Sequence, residues 1–320
     1  MQNIVINVVK SLMMSIKELI YVAGPTAIGK TSISILLAKY FKTEIISCDA
    51  RQLYMEMSIG TAVPSKLEQQ EIKHHFIQNK SIHKPYNAGK FEKEGLRLLK
   101  NLFQKHNKII MVGGSGLYAK ALIDGLDEFP KTEPKAVKKV KELYQNSGLK
   151  GLKLALAKID PEYYQTVDKK NPRRLIRALE VCESIQKPFS SFLNQTRSAR
   201  PFKSKTLFLQ MPREHLYKRI NQRVEQMLDT GLENEARDLL PHKELPALQT
   251  VGYKELFEYF EGKTKFHEAI EEIKKNTRNY AKRQLTWYKK ENTICIEMDE
   301  ISQTFDQIIK KLNQNKNIKK

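Results

Sequence analysis

The sequence predicts an α/β fold: a parallel sheet flanked by helices, carrying a phosphate loop (P-loop) and interrupted by a mostly helical insertion domain. Three observations carry that reading. Short apolar runs alternate with helical segments along most of the chain. The first run leads through a glycine-rich turn into a helix. A basic stretch punctuated by prolines and glycines then breaks the alternation near the middle.

The strands come first. Leu19-Ile20-Tyr21-Val22-Ala23 is a continuous apolar run, as a strand buried on both faces requires. Ile45-Ile46 is a second, ending at Ser47-Cys48-Asp49, and Ile109-Ile110-Met111-Val112 a third, ending at Gly113-Gly114-Ser115-Gly116. Residues 206–211 and 293–298 complete the set. Ligands of such sheets bind at the carboxyl ends of the strands, where the three sequence motifs fall. After Pro212 the pattern is helical, with Leu216, Ile220, Met227 and Leu228 on one stripe and Ile270, Ile273, Tyr280 and Trp287 on another.

A length of 320 residues predicts two domains or one with a large insertion. The boundaries fall at residues 1–125 for the first part of the α/β core, 126–200 for the insertion and 201–300 for the second part of the core. Residues 301–320 form a basic tail, expected to fray from Lys310. Hydrophobic residues make up 40%, enough for a buried core, and 8% aromatics with 14 Gly exclude a low-complexity or collagen-like chain. The net charge of +20 points to a polyanionic partner, nucleic acid before anionic membrane. Residues 131–210 hold 18 Lys and Arg against 7 Asp and Glu, so a quarter of the chain carries more than half of that charge. Three scattered cysteines, Cys48, Cys182 and Cys295, suit neither a disulfide framework nor a zinc site, and a reduced, cytoplasmic setting is expected. No run is long and apolar enough for a membrane span, and the first residues lack a signal-peptide pattern, with Met13 or Met14 a candidate start.

Gly24-Pro25-Thr26-Ala27-Ile28-Gly29-Lys30-Thr31 satisfies GxxxxGK[ST] between a strand and a helix. Its backbone N–H groups and the helix N-terminus suit phosphate oxygens, Lys30 adds a cation, and the Thr31 hydroxyl suits Mg2+. The loop specifies a polyphosphate without specifying ATP. An ordinary P-loop enzyme also ends a strand with a carboxylate for the metal. The best strand here ends in Gly113-Gly114-Ser115 instead, and Asp49 is the strand-end carboxylate nearest the loop in sequence. On the residues alone Asp49 is a metal ligand, a base for an acceptor, or the N-cap of a helix starting at Gln52. His74 and His75 have no further ligand at metal spacing and read as structural. Arg278, Lys282 and Arg283 near Trp287 suit equally an RNA track and a solvated helix face.

Taken in order, these pieces resemble the tRNA dimethylallyltransferase (isopentenylpyrophosphate transferase) family. The likeness runs through the phosphate loop, Ser47-Cys48-Asp49-Ala50-Arg51-Gln52-Leu53-Tyr54, Ile59-Gly60-Thr61-Ala62 and His74-His75-Phe76. It continues through Val112-Gly113-Gly114-Ser115-Gly116-Leu117-Tyr118, Asn171-Pro172-Arg173-Arg174-Leu175-Ile176-Arg177, Val251-Gly252-Tyr253-Lys254-Glu255 and Lys282-Arg283-Gln284-Leu285-Thr286-Trp287. It spans residues 19–288, and its specificity lies in the ordered set. Two departures stand out: Ala50 where the family often has Ser, and Ser115 where it often has Thr.

The resemblance implies transfer of a dimethylallyl group from its pyrophosphate to N6 of the adenine 3′ of the anticodon, in tRNAs that read codons starting with U. It implies that Lys30, Thr31, Arg219 and Arg223 hold the donor, with Mg2+ on Thr31, and that Asp49 faces the adenine amine. It implies tRNA contacts by Asp49, Ala50, Arg51, Gln52 and Ser115 around a flipped base, and by Arg173, Arg174, Leu175, Ile176 and Arg177 on the anticodon stem-loop. A monomer is expected. Two other readings remain at this stage. One is an adenylate isopentenyltransferase that takes a free nucleotide, which needs no large basic surface. The other, a small-molecule kinase, conflicts with the glycine-ended strand.

Overall fold

The computed structural model describes residues 17–194, 199–289 and 291–314; the candidate starts Met13 and Met14 lie outside them. The chain divides into two compact units, one formed by residues 1–124 with 200–320, the other by 125–199.

The larger unit is built on a six-stranded parallel sheet ordered β3-β2-β4-β1-β5-β6. The strands are β1 (Glu18–Ala23), β2 (Ile45–Ser47), β3 (His74–His75), β4 (Lys108–Val112), β5 (Lys203–Gln210) and β6 (Ile294–Glu297). β1 lies centrally, with Leu19 opposite Ile109 on one side and Ser204 on the other. Its residues are buried throughout, and they alternate between two cores because successive side chains leave opposite faces of a strand. Ile20 and Val22 join Ile110, Leu207 and Leu209 on one face, against α1 (Lys30–Phe41), α8 (Arg213–Asp229) and α12 (Ile301–Gln314). Leu19, Tyr21 and Ala23 join Ile46, Met111 and Phe208 on the other, against α3 (Ala88–Lys105) and α4 (Gly116–Ile123). The apolar runs are therefore continuous because helices cover both faces.

Two details depart from the sequence expectation. His74-His75 is a short edge strand paired with Ile45-Ile46. His75 Nε2 lies 2.6 Å from Glu44 Oε2 and His74 Nδ1 lies 2.8 Å from the Ile72 carbonyl oxygen, so both rings brace the edge. The frayed tail predicted from Lys310 is instead helical to Gln314. Thr304, Ile308 and Leu312 recur at four-residue spacing and are buried, which anchors α12 despite its polar composition.

A third apolar cluster joins α8 with α9 (Leu232–Leu239), α10 (Tyr253–Phe260) and α11 (Phe266–Tyr288), through Val224, Leu232, Tyr253, Phe257 and Ile273. It also takes in Tyr54 and Met57 from the loop after β2. The smaller unit is helical: α5 (Pro134–Ile159), broken at Gly148, then α6 (Pro161–Thr166) and α7 (Pro172–Ile185). Its core includes Val140, Leu152, Leu156, Leu175 and Leu179. Asp160 is nearly fully buried there, accepting from the Tyr163 and Ser190 backbone N–H groups at 3.0 and 2.7 Å, which satisfies its charge at a helix start.

Candidate active site

The phosphate loop joins β1 to α1 in the position the motif requires. Gly24 sits so close to β5 that a Cβ would fall 2.9 Å from the Leu209 carbonyl oxygen. Gly29 opens α1 in the left-handed region, with φ of 103°, where a side chain is strained. Lys30 Nζ donates to the Pro25 carbonyl at 2.7 Å, and Arg219 Nε on α8 donates to the Ala27 carbonyl at 2.9 Å. Pro25, though inside the motif, therefore contributes through its carbonyl.

This loop forms one wall of a cavity of about 580 Å3, lined also by Asp49, Gln52, Tyr280 and Arg223. Thr26, Ala27, Ile28, Gly29, Lys30 and Thr31 all line it, as does Arg219. The cations crowd each other. Burial and then Arg223 pull Lys30 down to about 8, while Asp49 works in the opposite direction. Burial, then Arg219, lowers Arg223 below the usual guanidinium value. Two desolvated cations, Lys30 and Arg223, beside a helix N-terminus suit a multiply charged anion.

Asp49 lines the same cavity, just past the end of β2. Cys48 N–H still donates to Val112 at 2.8 Å, and the chain then turns. Asp49 Oδ1 accepts from the backbone N–H groups of Arg51 and Gln52 at 2.8 and 3.4 Å. This is a local turn and no helix follows at Gln52, which removes the helix-cap reading. Gly113 explains why β4 ends without a carboxylate. A Cβ there would lie 2.6 Å from Cys48 Sγ and 3.0 Å from Asp49 N, so the turn after β4 packs directly on the Asp49 backbone. Only a residue without a side chain fits.

The neighbours predicted to touch the acceptor have varied partners. Ala50 N–H donates to Ser115 Oγ at 2.9 Å, and that hydroxyl also meets the Tyr280 phenol. Gln52 donates to the Thr61 and Ala62 carbonyls at 3.2 and 2.8 Å and accepts from Ser47 Oγ at 3.2 Å, so its amide braces the cavity wall. Burial pushes the Tyr54 and Tyr118 phenols above their usual value, Tyr118 to about 12, and Arg51 works in the opposite direction.

In the helical unit Arg173, Arg174 and Arg177 are exposed on α7, with Arg177 stacked 5.8 Å from the Phe129 ring centre. Ile176 is half-buried. Leu175 is 0% exposed and packs in the core, which corrects its inclusion among RNA-contacting side chains: on a helix it faces away from Arg173 and Arg177. Of the basic stripe on α11, Arg278 donates to Asn221 at 2.8 Å, whereas Lys282 and Arg283 are exposed.

The sequence reading assigns Gln284 no role of its own. Gln284 is buried on α11, and its amide bridges the two halves of the site. Oε1 accepts from Thr26 N–H in the phosphate loop at 2.9 Å, and Nε2 donates to the Gly114 carbonyl at 3.0 Å. Its signal was a polar residue on the buried stripe of an amphipathic helix, at the spacing of Ala281 and Tyr288.

Because an anion stabilises the charged form of Lys30, its affinity should hold below about pH 8 and fall above it, by up to about tenfold per pH unit. Calorimetry with inorganic pyrophosphate checks this, and Lys30→Met should remove that pH dependence along with much of the affinity.

Residues 52–291 match the family described as IPP transferase. The tRNA dimethylallyltransferase of Christiangramia forsetii is 54% identical over 297 residues, which cover 92% of this chain and 98% of that protein. The tRNA dimethylallyltransferase of Flavobacterium johnsoniae is 51% identical over 284 residues, 87% of this chain and 92% of that one. Among solved structures, the full-length tRNA isopentenylpyrophosphate transferase of Bacillus halodurans superposes with a TM-score of 0.69 at 31% identity, covering 94% and 99% of the two chains. A eukaryotic dimethylallyltransferase acting on tRNA gives a TM-score of 0.80 at 26% identity, covering 95% and 81%. By the family match and by these identities, the chain belongs to the IPP transferase family.

Proposed function

We propose that this transferase moves the dimethylallyl group of dimethylallyl pyrophosphate to N6 of the adenine 3′ of the anticodon, in tRNAs reading codons that start with U, as a cytoplasmic monomer. Prenylation of tRNA follows from the family. The observation supporting the finer chemistry is one cavity that brings the cationic phosphate loop together with Asp49, just past the end of β2; Glu68, which also lines it, is engaged in capping its own helix. Among the described residues no helix is long and apolar enough to cross a membrane.

The adenine amine is a weak nucleophile because its lone pair is delocalised into the ring. As N6 forms its bond to C1 of the dimethylallyl group, the C1–O bond breaks and its electron pair leaves with pyrophosphate. The loop amides, Lys30, Arg219 and Arg223 stabilise that growing charge. Asp49 takes the N6 proton, so no charge is left on the product amine. The base must leave its stack to reach this carboxylate.

Among the described residues no group of three or more His, Cys, Asp or Glu could hold a metal. Mg2+ does not need one, since it commonly keeps its waters and takes one or two protein oxygens with phosphate oxygens. Thr31 would hold it, and the ion would add positive charge beside the leaving pyrophosphate.

The exposed arginines of α7 favour tRNA over a free nucleotide, and the crowded Gly113 leaves no room for the metal carboxylate of a kinase. Incubation with tRNA and dimethylallyl pyrophosphate, followed by nucleoside mass spectrometry, should show N6-prenyladenosine. Equal yield on free AMP, or release of ADP from ATP, would replace this reading.

Asp49→Asn keeps size and removes basicity; single-turnover transfer should slow by about 10²–10⁴ while donor affinity hardly changes. Loss of donor or Mg2+ binding would make Asp49 a metal ligand instead.

Replacing Arg173 and Arg177 together by Ala should weaken tRNA binding regardless of sequence. The slope of log K against log salt should flatten by up to about two units, one for each phosphate contact. Filter binding across a salt series measures it, and an unchanged slope would remove these arginines from the RNA interface.

A further inference from the structure

Glu235 lies on α9 and is not among the residues that line the cavity. Its carboxylate nevertheless gathers three successive backbone N–H groups of the loop after β2. Oε2 accepts from Ser58 and Ile59 at 2.8 Å each, and Oε1 accepts from Gly60 at 2.9 Å. Oε1 also accepts from the Tyr253 phenol at 2.7 Å. Three consecutive amides converging on one anion form the kind of concavity that elsewhere binds phosphate. Here the protein fills it with its own side chain.

The loop so held is the one that continues into the cavity wall at Thr61, Ala62, Val63 and Pro64. It needs outside support, because Ala62 is held in the left-handed region at φ of 50°, where an alanine is strained. It also fits tightly: a Cβ on Gly60 would fall 2.7 Å from the Tyr253 ring. From Thr61 and Ala62 the contacts run on to the reacting side. Their carbonyls receive the Gln52 amide, Gln52 Oε1 receives Ser47 Oγ–H, and Ser47 Oγ receives the Asp49 N–H at 3.3 Å.

We infer that Glu235, with Tyr253, is a positioning residue for the acceptor half of the active site: it clamps residues 58–60 and so sets, through Gln52 and Ser47, where Asp49 stands. The inference rests on the proposed prenyl transfer and assigns Glu235 no contact with either substrate. Among the described residues no hydrogen bond links this clamp to the phosphate loop, which it meets only through the charge of Asp49 beside Lys30. Donor binding and acceptor geometry are therefore separable by mutation.

Glu235→Gln is the direct test. The amide keeps the shape but turns one acceptor oxygen into a donor, which then faces N–H groups it cannot satisfy. Transfer at saturating donor should slow by about ten- to hundredfold, the cost of a small misplacement at a reacting centre. The KM for tRNA should rise, while dimethylallyl pyrophosphate affinity stays within about twofold of wild type. Glu235→Asp, which keeps the carboxylate, should recover part of the rate. Tyr253→Phe removes one of four donors and keeps the ring against Gly60; it should lose only about fivefold, and it serves if the glutamine variant fails to fold. Wild-type transfer with undiminished rates in folded variants would overturn the clamp. So would a loss of donor affinity parallel to the loss of rate, since that marks general loosening. Wild-type protein that forms no prenyladenosine would instead overturn the function on which the inference rests.

Discussion

The active site depends on a constraint at the carboxyl ends of β1 and β4, where Gln284 ties two turns together. One side of its amide takes the Thr26 N–H and the other reaches the Gly114 carbonyl. Both groups are backbone, both belong to loops, and the bridging side chain comes from a long helix packed on the sheet. A buried amide satisfied at both ends is a rigid spacer, because breaking either bond would strand a polar group away from water. The phosphate loop and the turn beside Asp49 are thereby held at one separation before any substrate arrives.

Close packing does the rest. Glycines stand where neighbours press on the backbone: Gly24 against Leu209, Gly113 against Cys48 and Asp49, Gly114 against the Gln284 side-chain amide. At Gly114 an added Cβ would lie 2.1 Å from Gln284 Nε2, so the bridge itself requires the glycine. The same crowding answers why a P-loop protein lacks a carboxylate at the end of its central strand. The space that carboxylate would need is filled by the Asp49 turn, so a strand-end carboxylate stands one strand across instead, past the end of β2. There it faces the cavity from a turn braced by Ser47, Gln52 and Ser115.

Much of this was legible in the sequence, and the reasons are physical. The phosphate loop has fixed spacing because its glycines and lysine answer to phosphate geometry. The central strands are continuous apolar runs because both faces are covered. What stayed hidden was local polarity serving a distant partner. His74-His75 shows no strand pattern, since two residues cannot alternate, and its pairing with β2 is a backbone matter. Gln284 and Glu235 look like solvated helix residues until the loops they hold are folded against them. Leu175 was read with its arginine neighbours, although a helix turns it to the opposite face. In α12 the period of Thr304, Ile308 and Leu312 was present but masked by lysine and asparagine.

The central claim is that donor loop and acceptor turn are kept in register by one amide. Single-turnover prenyl transfer by Gln284→Leu, with donor and tRNA both saturating, tests it most directly. The account predicts a rate lower by on the order of 10², the cost of a displacement near 1 Å between reacting groups, with each substrate still bound within about threefold of wild-type affinity. A folded variant that transfers at the wild-type rate would contradict it.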